Sequence, residues 1–164
     1  THGGSLRYYI KKKSNNNVKI KSSVKIQIKK ETKFGLNKFT TFKKFAIKTI
    51  KSKNCLLKLI KKIKLKKKII IGYGATAKAT TVLNYSKIDN NHIDFFLDTT
   101  PDKSNKYMPG KKIKILKYNQ NLLKGVDYIF LGAWNFKNEI LKKEKKFIQK
   151  GGKFITHIPM PKIF

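Results

Sequence analysis

The chain has 164 residues and a formal net charge of +32, from 40 Lys and Arg against 8 Asp and Glu. This length suits one domain, or one domain with an extension, and no apolar run approaches the roughly 20 residues that a membrane helix needs. The single cysteine, Cys55, can form neither an internal disulfide nor a zinc knuckle. It lies in an apolar helical pattern, which predicts a small core residue, and such cysteine usage favours a cytoplasmic location.

The basic residues are nearly all lysine, because Arg7 is the one arginine in the sequence. A strongly basic chain suggests a nucleic-acid or anionic-membrane partner, but nucleic-acid sites usually use arginine forks. Lys, Asn, Ile, Phe and Tyr are abundant together and all have AT-rich codons, so coding bias also explains the lysines. The charge predicts nonspecific, salt-sensitive polyanion binding in either case. Such a bias would replace a dispensable arginine by lysine. The presence of Arg7 therefore suggests a bidentate phosphate or carboxylate contact, with chance or a structural ion pair as alternatives.

Residues 1–66 are predicted to form a strand and a long amphipathic helical segment. A strand-like run at residues 8–10 precedes a polar turn, and residues 18–30 carry both strand and helix signals. Apolar side chains recur every three or four positions over residues 36–65, with lysines on the other face. This pattern predicts one helix, or two with a break near Lys53 and Asn54, and no membrane partner is expected.

A buried strand, a glycine turn and a helix are predicted over residues 68–85. Three isoleucines lead into Gly72-Tyr73-Gly74-Ala75, and a helical pattern of small and apolar residues follows. Such a turn places backbone N–H groups at a helix N-terminus, where they can hold a phosphate. Glycine at position 74 would let a ligand or a neighbouring backbone approach closely. Parallel sheets that bind nothing also contain such turns, so both alternatives stay open.

Further strands are predicted at residues 94–98, 113–116, 126–132 and 153–158, with a helix at 137–150. Asp98 ends its strand about 25 residues after the glycine turn, where dinucleotide folds place a carboxylate on a ribose hydroxyl. A turn-forming aspartate ahead of Thr99-Thr100-Pro101 is the alternative.

The order of these elements predicts an α/β fold, namely a Rossmann-like, doubly wound, mostly parallel sheet over residues 67–164. Ligands bind beyond the carboxyl ends of the strands in such sheets. Loops at residues 72–75, 98–100 and 133–135 are all predicted to lie there, which favours a nucleotide-like ligand. Trp134, the one tryptophan, would either stack on a base or sugar or close the core.

Several motifs resemble those of the S-adenosylmethionine-dependent sugar C-methyltransferases, in order and in spacing. Thr1-His2-Gly3-Gly4-Ser5-Leu6-Arg7 resembles the His-Gly-Gly-Ser-Leu-Arg element of that family, and Gly72-Tyr73-Gly74-Ala75-Thr76-Ala77-Lys78 resembles its Gly-x-Gly-Ala-x-x-Lys turn. The later motifs are Pro101-Asp102-Lys103, Lys106-Tyr107-Met108-Pro109-Gly110, Asp127-Tyr128, Trp134-Asn135-Phe136, Gly151-Gly152-Lys153 and Ile158-Pro159. One departure is Ala79-Thr80, where the family usually has Gly-Asn.

The resemblance covers only the C-terminal domain of that family. It implies partner domains upstream in the same enzyme, one binding zinc and one binding the methyl donor S-adenosylmethionine. Residues 1–66 would then link to the missing methyl-donor domain, and residues 67–164 would bind a nucleoside-diphosphate sugar. The chain alone is expected to transfer no methyl group.

The chemistry implied by the resemblance is C-methylation beside the ketone of a nucleotide-linked keto-deoxysugar. Removing the proton next to a carbonyl needs a base with a pKa near neutrality, and unperturbed histidine titrates at about 6.5. The resemblance implies that His2 is this base, with a plain loop histidine as the alternative. The implied substrate-binding residues are Gly3, Gly4, Ser5, Arg7, Gly72, Gly74, Ala75, Lys78, Asp98, Trp134 and Asn135. No metal ligand is expected, and the alternative function is a basic Rossmann-like module that binds RNA or another polyanion without enzymatic activity.

Overall fold

The structure, a computed structural model, describes residues 5–164, and the chain divides between Thr49 and Ile50 into two compact units. The helices are α1 (Ser22–Phe34), α2 (Phe39–Leu65), α3 (Ala77–Tyr85), α4 (Lys137–Lys143) and α5 (Lys145–Gln149). The strands are β1 (Ile70–Tyr73), β2 (Phe95–Asp98), β3 (Lys114–Lys117), β4 (Tyr128–Leu131), β5 (Lys153–Thr156) and β6 (Lys162–Ile163). Short 3-10 turns at Pro101–Lys103, Gln120–Leu123 and Trp134–Phe136 lie in the connections.

The N-terminal unit is helical. The predicted strand before the helical segment is wrong, since residues 5–21 contain no strand and the side chains of residues 8–10 are exposed. A strand needs a neighbour for its N–H and C=O groups, and the local pattern does not supply one. The ambiguous segment forms α1, which ends at Gly35, where a φ of +86° gives the left-handed C-cap.

Helix α2 runs unbroken through Lys53 and Asn54. Its apolar stripe buries Leu56, Ile60 and Ile63. Cys55 falls beside this stripe and is exposed, so the prediction of a core cysteine is wrong. Within residues 5–164, no helix is both long enough and apolar enough to cross a membrane.

The second unit contains a six-stranded sheet in the order β3-β2-β1-β4-β5-β6. Strands β1 to β5 are parallel, and the short edge strand β6 is antiparallel to β5. The predicted Rossmann-like, mostly parallel fold is therefore confirmed. The chain builds outward from β1 to β3 and then crosses back to place β4 beside β1, so the switch point of the sheet lies between β1 and β4.

Two apolar layers cover the two faces of the sheet. One layer joins alternate strand residues, including Ile70 and Phe96, to α2 and α3. The other joins the intervening residues, including Ile71 and Leu97, to α4 and α5. Successive side chains of a strand point to opposite faces, which explains why Ile70 and Ile71 are both buried, while Ile69, before the strand, is exposed. The fold thus holds the carboxyl end of β1 rigidly between its neighbours.

Candidate functional site

A cleft of about 340 Å³ lies at the carboxyl ends of the strands, at the switch point. Three loops contribute to it, the ones that follow β1, β2 and β4. Its lining residues are Tyr73, Gly74, Thr76, Asp98, Thr99, Thr100, Lys103, Ala133, Phe136, Glu139, Ile140 and Lys143. The structure therefore brings together the three loops that were predicted to meet at the carboxyl ends of the strands. These loops form the rim of the cleft.

The glycines of the central turn are in contact with other parts of the protein. Gly74 has a φ of +84°, and a Cβ built on it would lie 2.5 Å from the Cβ of Ala133. A Cβ on Gly132 would lie 2.3 Å from the carbonyl oxygen of Gly74, and one on Gly72 would lie 2.3 Å from the ring of Phe96. The close approach that glycine allows is thus an approach of the β4 loop to the β1 loop.

The carboxylate of Asp98 joins the loops that follow β1 and β2. It accepts hydrogen bonds from the N–H of Ala75 at 2.7 Å, the N–H of Thr100 at 2.8 Å and the Nζ of Lys103 at 3.2 Å. Burial by itself would raise the pKa of Asp98, but the bonds from Thr100 and Lys103 outweigh it and hold the pKa below its ordinary value. This geometry is that of a turn-forming aspartate. It keeps the Asp98 carboxylate ionised and ties the loops after β1 and β2 together.

The N-terminus of α3 is anchored to the β4 loop. The side chain of Thr76 caps the helix by accepting from the N–H of Ala79 at 3.1 Å, and it donates to the carbonyl of Gly132 at 3.2 Å. The ammonium group of Lys78 lies 5.3 Å from the centroid of the Trp134 ring, within cation–π range. Two of the predicted substrate-binding residues are therefore neighbours, and Asn135 follows in the same 3-10 turn.

The remaining predicted site residues are five from the start of the chain. His2, Gly3 and Gly4 are outside the described residues, and the roles assigned to them stay predictions. Ser5 and Arg7 belong to the N-terminal unit and are exposed. The resemblance, and not the geometry, connects these five residues to the cleft.

A buried carboxylate behind the cleft was not among the predicted site residues. Glu144 is completely buried, and its Oε1 accepts from the hydroxyl of Tyr118 at 2.7 Å and from that of Tyr73 at 3.3 Å. Burial, together with the charge of Glu144, raises the pKa of both tyrosines. Helical spacing could have revealed Glu144, because it falls on the inward face four residues after Ile140 and three before Phe147.

The rim is a poor fit for the methyl donor S-adenosylmethionine. A dinucleotide-type fold would offer that ligand a carboxylate for the ribose and an open glycine loop. Here Asp98 is engaged by three protein donors, and Ala133 lies directly against Gly74. The cleft therefore suits a ligand held by the side chains around its opening. Across residues 5–164, no group of three or more His, Cys, Asp and Glu side chains is placed to hold a metal ion.

Comparison with known proteins assigns the chain to a family. The family model described as the C-methyltransferase C-terminal domain matches residues 1–159. The chain belongs to this family. It is also 33% identical over 122 residues to the C-methyltransferase NovU of Streptomyces niveus, and this match covers 74% of the chain and 29% of NovU. The resemblance drawn from the motifs is thus confirmed, and the chain spans less than a third of the length of that relative.

Proposed function

We propose that this chain is the substrate-binding, C-terminal part of a methyltransferase that C-methylates a nucleotide-linked keto-deoxysugar. Membership of the C-methyltransferase C-terminal domain family supports the reaction class. The cleft at the switch point is the observation that carries the proposal, because open α/β sheets bind ligands there. Its volume of about 340 Å³ is within the usual range for small-molecule sites.

The lining of the cleft suits a sugar that carries a diphosphate. Lys103 follows β2 and Lys143 ends α4, and their ammonium groups would bind the phosphate oxygens. The hydroxyl of Thr99 would bind sugar oxygens, since it can donate and accept, whereas those of Thr76 and Thr100 already bond to Gly132 and Asp98 and would only accept. Asp98 is already paired with Lys103, so it orients this lysine and does not compete for the substrate.

His2 would supply the base. Its role rests on the resemblance of Thr1-His2-Gly3-Gly4 to the family element, and a neutral imidazole suits removal of the proton beside the sugar ketone. S-adenosylmethionine would supply the electrophilic methyl group, bound to another domain of the enzyme. This chain would hold and orient the sugar nucleotide, and by itself it would transfer no methyl group. Turnover by the isolated 164 residues with S-adenosylmethionine would contradict this part of the proposal.

A thermal-shift titration with thymidine-diphosphate sugars at about 0.15 M salt tests the proposal, because a ligand of the native state raises Tm by mass action. A saturable shift is expected, and the variant K103Q/K143Q should weaken it about tenfold. The variant K29Q/K30Q removes the same charge from exposed positions on α1 and should retain the shift. The ligand-free Tm of each variant shows whether it folds.

The alternative function, a polyanion-binding module, is favoured by one observation, the net charge of +32. It predicts binding to RNA that falls steeply with salt and no specific effect of a sugar nucleotide. Equal shifts with heparin, pyrophosphate and the sugar nucleotide, or equal losses in the two double variants, would support this alternative and contradict the proposed substrate.

A further inference from the structure

A second cleft, of about 500 Å³, lies at the amino ends of the strands. It is bounded by the 3-10 turn Gln120–Leu123 on one side and by α5 on the other. Asp127 and Gly152 also line it, and they directly precede β4 and β5 in the chain. Since β4 has four residues, which span roughly 13 Å, this cleft is separate from the one at the carboxyl ends.

The second cleft has an apolar floor and a cationic edge. Leu123 and Phe147 are buried in the floor, while Lys124, Lys146 and Lys150 are exposed around it. Lys146 lies in α5 and Lys150 is its C-cap, and the N–H of Lys150 donates to the carbonyl of Lys146 at 3.2 Å, so this helical turn places two like charges on one side. An anion between these lysines would relieve their repulsion.

The acidic residue in the lining does not neutralise these lysines. Asp127 accepts from the Nζ of Lys68 at 2.8 Å and from the N–H of Ile69 at 2.9 Å. The hydrogen bond from Lys68 holds the pKa of Asp127 below its ordinary value, so the carboxylate stays ionised and paired. The charges of Lys124, Lys146 and Lys150 therefore remain available, and the side-chain amides of Gln120 and Asn121 add neutral donors.

We propose that this cleft binds a small organic phosphate, with the phosphate held by Lys124, Lys146 and Lys150 and the apolar part of the ligand on the floor. The lysines account for the anion, because ammonium groups form charge-assisted hydrogen bonds with phosphate oxygens. The floor accounts for an organic ligand, because Val126 is only half-buried beside Leu123 and Phe147, and an inorganic ion would leave its side chain in contact with water. This site is independent of the nucleotide-sugar cleft.

Calorimetric titration of the 164-residue chain with ADP and with pyrophosphate, at about 0.15 M salt, tests the proposal. ADP should bind saturably, and about tenfold more tightly than pyrophosphate, because its base covers the floor. The variant K124Q/K146Q/K150Q should weaken ADP binding about tenfold or more. The matched variant K29Q/K30Q/K33Q removes the same number of charges from exposed positions on α1 and should bind like the unmodified chain.

Three results would overturn the proposal. The first is equal weakening in the two triple variants, which would mean that overall charge attracts the ligand. The second is equal affinity for ADP and pyrophosphate, which would mean that the floor is not used. The third is loss of ADP binding in K103Q/K143Q but not in K124Q/K146Q/K150Q, which would place ADP in the cleft at the carboxyl ends and leave the proposed function intact.

Discussion

The role of Gly74 can be measured by comparing it with Gly125. Both glycines have positive φ, +84° and +77°, so alanine at either position incurs the left-handed backbone penalty of about 1–2 kcal/mol. Only Gly74 adds a collision, because its Cβ would lie 2.5 Å from the Cβ of Ala133 while nothing lies within 4 Å of a Cβ on Gly125. Carbon atoms prefer separations of about 3.5–4.0 Å, so the overlap is about 1 Å.

Overpacking of this kind typically costs about 1–3 kcal/mol. Gly125→Ala should therefore lower the free energy of unfolding by about 1–2 kcal/mol, and Gly74→Ala by about 2–5 kcal/mol. Adding Ala133→Gly removes the opposing methyl group but leaves the backbone N and Cα of residue 133 at 3.0 and 3.3 Å from the new Cβ, so the double variant should recover part of the difference between the two single variants. A double-mutant cycle separates this coupling from the separate cost of Ala133→Gly.

Urea unfolding provides the assay, followed by the fluorescence of Trp134 and by circular dichroism as a second probe. Trp134 is the one tryptophan and adjoins Ala133 in the chain, so it reports on the rim directly. Equal losses for Gly74→Ala and Gly125→Ala, or no coupling between positions 74 and 133, would refute the packing explanation. Gly74 would then be required by its positive φ alone and not by the contact between loops.

Two further predictions concern buried polar groups. His157 is buried against Phe130, with no hydrogen-bond partner for either ring nitrogen among residues 5–164, and burial lowers its pKa to about 4. The unfolded chain binds this proton first, at a pKa of about 6.5, so the stability is complete above pH 6.5 and falls by about 3 kcal/mol as the pH drops to 4. His157→Leu should remove that difference, and an unchanged slope would contradict the reasoning. Tyr118→Phe should cost about 2 kcal/mol, since it deletes a hydrogen bond to a buried carboxylate, and Tyr73→Phe less, because its bond to Glu144 is longer. The raised pKa of both tyrosines means that they stay protonated in the folded chain above pH 10, where stability falls as the pH rises, and absorbance near 295 nm measures this.

The sheet and the loops around its cleft could be predicted from the sequence alone. A continuous apolar run such as residues 69–71 predicts a strand buried on both faces, and alternation of strands with helices predicts parallel pairing with right-handed connections. Because parallel strands end at the same edge, the loops at Gly74, Asp98 and Trp134 had to meet. These inferences need only local periodicity and chain order, and both are readable without coordinates.

The atoms that each of these residues contacts could not be predicted, because they depend on how distant segments fold together. Whether residues 8–10 form a strand depends on a partner strand, and whether Cys55 is buried depends on which face of α2 meets the sheet. The partners of Asp98 and Gly74 come from other loops, and Glu144 bonds to tyrosines 26 and 71 residues away in sequence. Periodicity shows which way a side chain faces, but the atom it meets there is set by folding, because contacts between distant segments exist only once the chain has closed the loops between them.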